Sequence, residues 1–503
     1  MTLQDVMELA NSNYSDLPPG WTKSAIEELI GHDGIFCDGD WVESKDQDPN
    51  GEVRLIQLAD IGDGFFKDQS DRFLTFKKSI ELNCTYLQKG DILVARLPDP
   101  LGRACIFPLS GIKKFVTVVD VCIIRNNSNL INSQYLLYLI NSPQTRLEVD
   151  KYKSGSTRKR ISRKNFAKIQ FPIAPLPEQH RIVEKIEELF SELDNGVAYL
   201  KKALEQLKTY RQAVLKWAFE GKLTEKWRNT HQDSLEDADT LLEQIKAERK
   251  RHYQQQLEDW KQALKEWENN GKETKKPTKP QQPKDLPPLT KEELSNLPSL
   301  PNGWMWVKVE ELGEVQLGRQ RSPKNRSKDF PTKYIRAANI TEKGLNLDDI
   351  MDMEFTPSEQ ERYRLKYGDI ILSEASGSSE QVGKPAMWKN QIKNCCFQNT
   401  VIRLRPICIS SEYLLNLFLS YYRNGVFSQV ASGVGINHLS ANKFSLITVA
   451  IAPMQEQTQI VQEIESRLSV CDQLEATLTE NLDKAEALRQ SILKRAFEGK
   501  LVL

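Results

Sequence analysis

The sequence predicts a mixed α/β protein in which one module, short strands and turns followed by a long helix, is written twice. The repeat is the first observation. Phe397 to Leu501 repeats Val119 to Leu223 at a constant offset of 278, without a gap. Arg211-Gln212 and Ala218-Phe219-Glu220-Gly221-Lys222-Leu223 return as Arg489-Gln490 and Ala496-Phe497-Glu498-Gly499-Lys500-Leu501. Upstream, Gly20-Trp21, Glu27-Glu28-Leu29 and Gly90-Asp91-Ile92 return as Gly303-Trp304, Glu310-Glu311-Leu312 and Gly368-Asp369-Ile370. The second observation is a change of apolar period inside each copy, from strand-like runs to a heptad seam. The pseudo-two-fold symmetry of such a chain points to a partner with two related halves.

In chain order, residues 1–173 form the first mixed domain. Val53 to Ile56, Asp91 to Val94 and Val116 to Ile124 read as strands, the last interrupted by Asp120. Gly62-Asp63-Gly64 and Pro98 to Gly102 read as turns, and Gln134 to Ile140 as a short helix. Pro172, Pro175 and Pro177 close the domain. Residues 174–223 are the first long helix. Ile182, Ile186, Leu189, Leu193, Gly196, Leu200, Ala203, Leu207, Tyr210, Val214 and Trp217 alternate in steps of four and three, a coiled-coil seam. At 1.5 Å per residue it spans roughly 55–60 Å, with Gly196 as the position where it can bend. Residues 224–300 are a central insert. A charged helix, Leu235 to Trp267, bears Leu241, Ile245, Leu257, Trp260, Leu264 and Trp267, and Lys272 to Pro288 reads as a flexible linker. Residues 301–450 are the second mixed domain and 451–503 the second long helix. That helix keeps Ile460, Ile464, Cys471, Leu474, Leu478, Ala485, Leu488 and Ile492 on its seam but adds Arg467, Asn481 and Arg495, so a less regular helix is expected.

Composition excludes several classes. No apolar run reaches the ~18 residues of a membrane span, and no basic-then-apolar leader opens the chain. Eight cysteines without a C-x-x-C suit reduced thiols and a cytoplasmic location. The five histidines (32, 180, 231, 252 and 438) lack metal-ligand spacing, so no metal is expected. Net charge is zero, which counts against a nucleic-acid binder, but the charge is segregated. Lys151 to Lys168 carries eight Lys/Arg and no acid, and Gln316 to Arg336 carries seven against Asp329 alone.

Motifs for chemistry fail one by one. Gly377 to Lys384 has five residues between its glycines, and Pro385 stands where a phosphate loop needs Ser or Thr. Gly433-Val434-Gly435 lacks the third glycine of a dinucleotide loop. The Pro-Pro pairs, Leu17-Pro18-Pro19-Gly20 and Leu286-Pro287-Pro288-Leu289, do not make the D/N-P-P-Y/F/W loop of an adenine methyltransferase. Glu273-Thr274-Lys275 has the letters of a metal-dependent nuclease site but sits in the linker. No catalytic residue is therefore assigned.

Binding surfaces survive. Lys153, Ser154, Ser156, Thr157, Arg158, Lys159 and Arg160 combine hydroxyls, backbone amides and a basic triplet suited to phosphates and base edges; the plain alternative is a solvated turn. The matching stretch of the second copy keeps Ser432 and has Asn437 but loses the charge, which appears instead at Arg319, Arg321, Lys324 and Arg326. Two modules that read different sequences would differ in this way. The helix ends, Phe219, Glu220 and Lys222 with Phe497, Glu498 and Lys500, are candidate docking points for one type of partner; helix-end packing accounts for the apolar residues alone.

With this layout the chain resembles, over nearly its whole length, the specificity subunit of type I restriction–modification systems. The most specific marks are Leu-Pro-Pro-Gly-Trp (17–21) and Leu-Pro-Asn-Gly-Trp (300–304), Ile-Ala-Pro-Leu-Pro-Glu-Gln (173–179) with Ile-Ala-Pro-Met-Gln-Glu-Gln (451–457), and the two helix ends. Leu241 to Arg249 resembles the central region of one branch of the family. The resemblance implies two α/β target-recognition domains separated by two long antiparallel coiled-coil helices. Each domain would read one half of a split site in double-stranded DNA, and the helices would dock two methyltransferase subunits. It also implies that S-adenosylmethionine, ATP and Mg sit on partner subunits, including the restriction motor subunits, and that this chain binds no cofactor and is not itself an enzyme. The insert at 251–288 is longer than that architecture needs. Two other readings are a self-contained methyltransferase or nuclease and a coiled-coil scaffold unrelated to DNA; the 151–168 cluster weighs against the second.

Overall fold

The computed structural model describes residues 17–97, 100–111, 114–155, 158–271, 276–280, 282, 287–320, 330–374, 381–431 and 438–502. The chain divides into two compact units, Met1–Leu204 with Glu475–Leu503, and Glu205–Leu474. The division runs through both long helices, Leu176–Phe219 and Met454–Phe497, each of 44 residues and about 66 Å long. The first is unbroken at Gly196, whose surroundings are open.

In the first unit, β1 (Thr22–Ser24) is antiparallel to a later strand of the same unit, at Phe171–Ile173. The strands β2 (Ile35–Asp38), β3 (Val53–Ile56), β4 (Arg72–Leu74), β5 (Ile92–Ala95), β6 (Ala104–Ile106), β7 (Lys114–Thr117) and β8 (Val121–Arg125) form two sheets, in the orders β2-β8-β5-β6 and β4-β3-β7. Side chains alternate across the central strands, as a two-residue period requires. Ile92, Val94, Cys122 and Ile124 face a core shared with helices, while Leu93, Ala95, Val121 and Ile123 face a layer that includes Ile56 and Phe115. Both faces are buried, so these strands read as apolar runs. The run expected as one strand, Val116 to Ile124, is two strands in different sheets. Val121 N–H donates to Val118 C=O at 3.0 Å, and the turn so closed carries Asp120 out of the apolar layer.

The second unit repeats the plan. With β9 as Phe171–Ile173, its strands are β10 (Met305–Lys308), β11 (Gly313–Leu317), β12 (Pro331–Ile335), β13 (Ile340–Thr341), β14 (Gly344–Leu345), β15 (Met351–Glu354), β16 (Ile370–Ser373), β17 (Pro385–Met387), β18 (Cys396–Phe397), β19 (Val401–Pro406) and β20 (Thr448–Ile451). The larger sheets run β11-β19-β16-β17 and β15-β12-β18, and β10 pairs with β20 as β1 does with β9.

Strand register corrects the gap-free repeat. Ile92 faces Ile124 and Ile370 faces Leu404, so the offset is 278 in one strand and 280 in its neighbour. The buried ion pairs agree: Asp91 with Arg125 and Asp369 with Arg405, each closing at 2.7 Å. The helix caps Asn132 and Ser410 return to 278, so the first copy has two more residues between strand and helix. Arg403 therefore occupies the slot of Ile123.

Within each unit the start of one long helix runs antiparallel to the end of the other. In the first unit Ile182 and Ile186 share a core with Ile492, Leu493, Ala496 and Phe497. In the second, Val214, Leu215, Ala218 and Phe219 share one with Ile460 and Ile464. Arg489 pairs with Asp194, and its counterpart Arg211 pairs with Asp472 at 2.6 Å. The polar seam residue Arg467 donates to Tyr210 Oη at 3.3 Å.

The insert begins as part of the second unit's core. Its helix, Ala238–Asn269, buries Ala238, Leu241, Leu242 and Ile245. The stretch expected as a flexible linker is, at residues 276–280, packed on that helix: Trp260 Nε1 donates to Pro277 C=O at 3.0 Å.

Candidate nucleic-acid interface

The sequence motifs become two copies of one buried frame. Tyr135 Oη donates to Pro172 C=O and Tyr413 Oη to Ala450 C=O, both at 3.0 Å. Gln179, in the first turn of the long helix, donates to Ala174 C=O at 2.9 Å and accepts from Asn132 N–H at 2.8 Å. Gln457 does the same with Ala452 C=O at 2.8 Å and Ser410 N–H at 3.3 Å. Trp21 donates to Glu178 at 3.1 Å and Trp304 to Glu456 at 2.8 Å. These bonds account for the Gly-Trp and Glu-Gln words: each supplies a partner to a group that would otherwise be orphaned beside a helix terminus.

The closing words of the helices are also used internally. Phe497 stacks edge-on against Tyr135 at 5.2 Å and Phe219 against Tyr413 at 5.3 Å. Both Phe rings are buried, so neither is presented to a docking partner, which corrects the expectation for Phe219 and Phe497. Gly221 and Gly499 have φ of +69° and +66°, the left-handed conformation that ends a helix. A Cβ on either would sit 2.3 Å from Cγ of Pro301 or Pro18, so each closing word packs against an opening word. Lys222 pairs with Glu220 at 2.7 Å and Lys500 with Glu498 at 2.9 Å. Both lysines remain mostly exposed, so Glu220, Lys222, Glu498 and Lys500 keep polar surface that a partner can meet.

The basic loop of the first unit is a small hairpin. Ser154 and Arg160 exchange backbone hydrogen bonds of 2.9 Å in both directions. Gly155 has φ of +98° and lies so close to Arg158 C=O that a Cβ would approach it to 2.4 Å. The hairpin is anchored by Ile161, buried in the core, whose N–H donates to Arg96 C=O at 3.2 Å. Arg158, Lys159 and Arg160 are exposed, and none makes an ion pair among the described residues. Ser154 lines the same exposed turn, whereas Lys153 is paired with Asp150 at 3.1 Å. Ser156 and Thr157 lie outside the described residues.

The second unit differs. Arg319 is buried: Nε donates to Glu359 at 2.8 Å, Nη1 to Glu354 C=O at 2.7 Å, and the guanidinium lies 5.2 Å from the Phe355 ring. Its charge is consumed by β15 and the following helix, which corrects its assignment as a DNA contact. Hydrogen bonding to Arg319 and Thr356 holds the Glu359 carboxyl low despite its burial. Arg321, Lys324, Arg326, Ser432 and Asn437 lie outside the described residues.

A charge reversal at the foot of the basic hairpin carries no motif in either copy of the sequence. Arg96 and Glu374 occupy equivalent slots: Arg96 N–H donates to Asp120 C=O and Glu374 N–H to Thr400 C=O, both at 2.9 Å. Arg96 is held near Asp38 at 3.4 Å, and Glu374 faces His438 Nε2 at 3.2 Å. The signal lay in the 278 offset, which pairs position 96 with 374 and 160 with 438. Trp41 and Phe65 are 70% and 59% exposed on the first unit, and nothing in their sequence context marks them as exposed. Among the described residues no group of His, Cys, Asp and Glu has the arrangement of a metal site. No helix there is long and apolar enough to cross a membrane.

A constant buried frame carrying loops of different charge defines a duplicated recognition module. The chain belongs to the type I restriction modification DNA specificity domain family, whose profile matches residues 19–208 and again 301–484. It is 25% identical over 383 residues to the type I restriction enzyme EcoKI specificity subunit of Escherichia coli strain K12, covering 76% of this chain and 68% of that one. The HsdS subunit of Thermoanaerobacter tengcongensis shares the fold, with a TM-score of 0.52, 16% identity and coverage of 97% and 99%. A chain from a study of assembly and conformational transition in the type I R-M system superposes with a TM-score of 0.61 at 16% identity, covering 96% of this chain and 99% of that one.

Proposed function

We propose that this chain is the specificity subunit of a type I restriction–modification complex, in which each mixed domain reads one half of a bipartite site in double-stranded DNA. The observation that carries the reading is the contrast between frame and loops. Tyr, Gln, Trp and Asp–Arg contacts recur in both copies, while the residues around 96 and 160 differ in charge from those around 374 and 438. A recognition subunit keeps what positions a loop and varies what the loop reads. The long helices, with Glu220, Lys222, Glu498 and Lys500 at their ends, would dock two methyltransferase subunits. S-adenosylmethionine belongs on those partners, and ATP and Mg on restriction motor subunits.

The test uses the complex with its methyltransferase subunits and a duplex carrying the site found by mapping methylated adenines. Changing Arg158, Lys159 and Arg160 to Ala lowers the slope of log affinity against log salt by about 0.9 for each lost phosphate contact. An unchanged slope would make the hairpin a bystander. Methyl transfer by the chain alone, free of other subunits, would overturn its assignment as a non-catalytic subunit.

A further inference from the structure

The outer half of the insert helix carries a stripe that the core does not use. Tyr253, Leu257, Trp260, Leu264 and Trp267 follow one another at steps of four, three, four and three, and all are half-buried while nearly every residue between them is exposed. The stripe begins beyond Arg249, whose Nη1 donates to Glu310 C=O at 3.0 Å. From there about 29 Å of helix continues. A charged helix of this length, which carries side-chain pairs such as Gln255–Asp259 and Gln262–Glu266, is marginal in water on such pairs alone.

What lies on the stripe is the returning chain. Pro277 C=O accepts from Trp260 Nε1 at 3.0 Å, and Lys279 Nζ stands 6.0 Å from the Trp260 ring. Pro277 and Pro280 are half-buried, whereas Lys276, Thr278 and Lys279 are exposed. Prolines three apart share one face of a polyproline helix, which has three residues per turn. Pro277 and Pro280 therefore lie on the helix side, Lys276 faces water, and the Lys279 ammonium reaches back over the Trp260 ring. Such a strand is already extended, so laying it down costs little entropy, and it presents unsatisfied carbonyls to an indole N–H.

We propose that the outer half of the insert helix is a receptor face for an extended proline-rich strand, and that its occupant is this chain's own Lys276–Pro280 segment. The insert is then a helix–polyproline hairpin that fixes the path by which the chain enters its second repeat. This holds whatever the two mixed domains bind.

The experiment is hydrogen exchange on the full-length chain, followed by mass spectrometry. In the Pro277→Ala/Pro280→Ala variant the amides of residues 253–269 should exchange about tenfold faster than in the wild type, with residues 238–250 unchanged. Trp260→Phe, which keeps the ring and removes the donor, should give a smaller rise of about threefold. Identical exchange across 253–269 in the wild type and both variants would overturn the proposal. So would protection that falls on dilution of the wild type, since the cover would then be a second copy of the chain.

Discussion

Removing the carboxylate of Glu456 should cost far more than removing that of Glu178, although the two occupy the same position in the repeat. Glu456 is fully buried and accepts from Thr224 Oγ1 at 2.6 Å, Arg228 Nε at 2.9 Å and Trp304 Nε1 at 2.8 Å. Arg228 is itself 8% exposed and lies 5.8 Å from the Trp304 ring. In Glu456→Ala the guanidinium stays in the interior without its counter-charge, a loss of about 3–5 kcal/mol. Glu178 is half-exposed and takes the Trp21 N–H at 3.1 Å, so Glu178→Ala forfeits about 1 kcal/mol. A chain of two units is not expected to unfold in one step, so each loss is read within its own unit. Native-state hydrogen exchange at the amides of β10 and β20 reports the second unit, and that at β1 and β9 the first. Pairing Glu456→Leu with Arg228→Met should recover most of the loss, because the buried charge goes with its partner. Equal losses in the two single variants would refute the reasoning, as would a loss below about 1 kcal/mol for Glu456→Ala.

Arg403 is fully buried with Nε unbonded and Nη2 3.1 Å from Glu314, and burial holds its guanidinium below the usual arginine range. Arg403→Ile, which installs the residue of the equivalent slot, should leave stability unchanged or raise it by up to about 2 kcal/mol in urea titrations of the second unit; a loss above that size would show the arginine to be stabilising. Gly499→Ala, with its Cβ 2.3 Å from Pro18, should cost about 2 kcal/mol, whereas Gly64→Ala, at φ +88° with open space around it, should cost about 1 kcal/mol. Matching exchange rates in these two variants would remove the closing-word contact from the account. Asp40 is pushed up to about 6 by burial, above its unfolded value of ~3.9. Its folded form holds the proton more tightly, so stability falls as pH rises from about 4 through about 6 and is level above that. Asp40→Asn should flatten that stretch of a Tm-against-pH curve; a parallel curve would assign the slope to other groups.

The repeat, the alternation of mixed segment and long helix, and the basic loop were legible because each leaves a periodic or compositional trace. Apolar residues recur at heptad spacing where two helices meet, and glycine recurs where φ is positive, so Ile182, Ile186, Gly221 and Gly499 carried their own meaning. Chain order also set which segments are duplicated, and with them the expectation of paired recognition domains. Tertiary structure decided what each charge is for. Arg319 and Arg158 look alike in sequence, yet one is enclosed by Glu359 and Glu354 while the other stands free among the described residues, because the folding of β15 and its helix brings acceptors from far along the chain. The same holds for Phe219 and Phe497, whose partners Tyr413 and Tyr135 lie far off in sequence. Periodicity records which face of an element is buried; it carries no record of which distant element does the burying, and that is set by long-range packing alone.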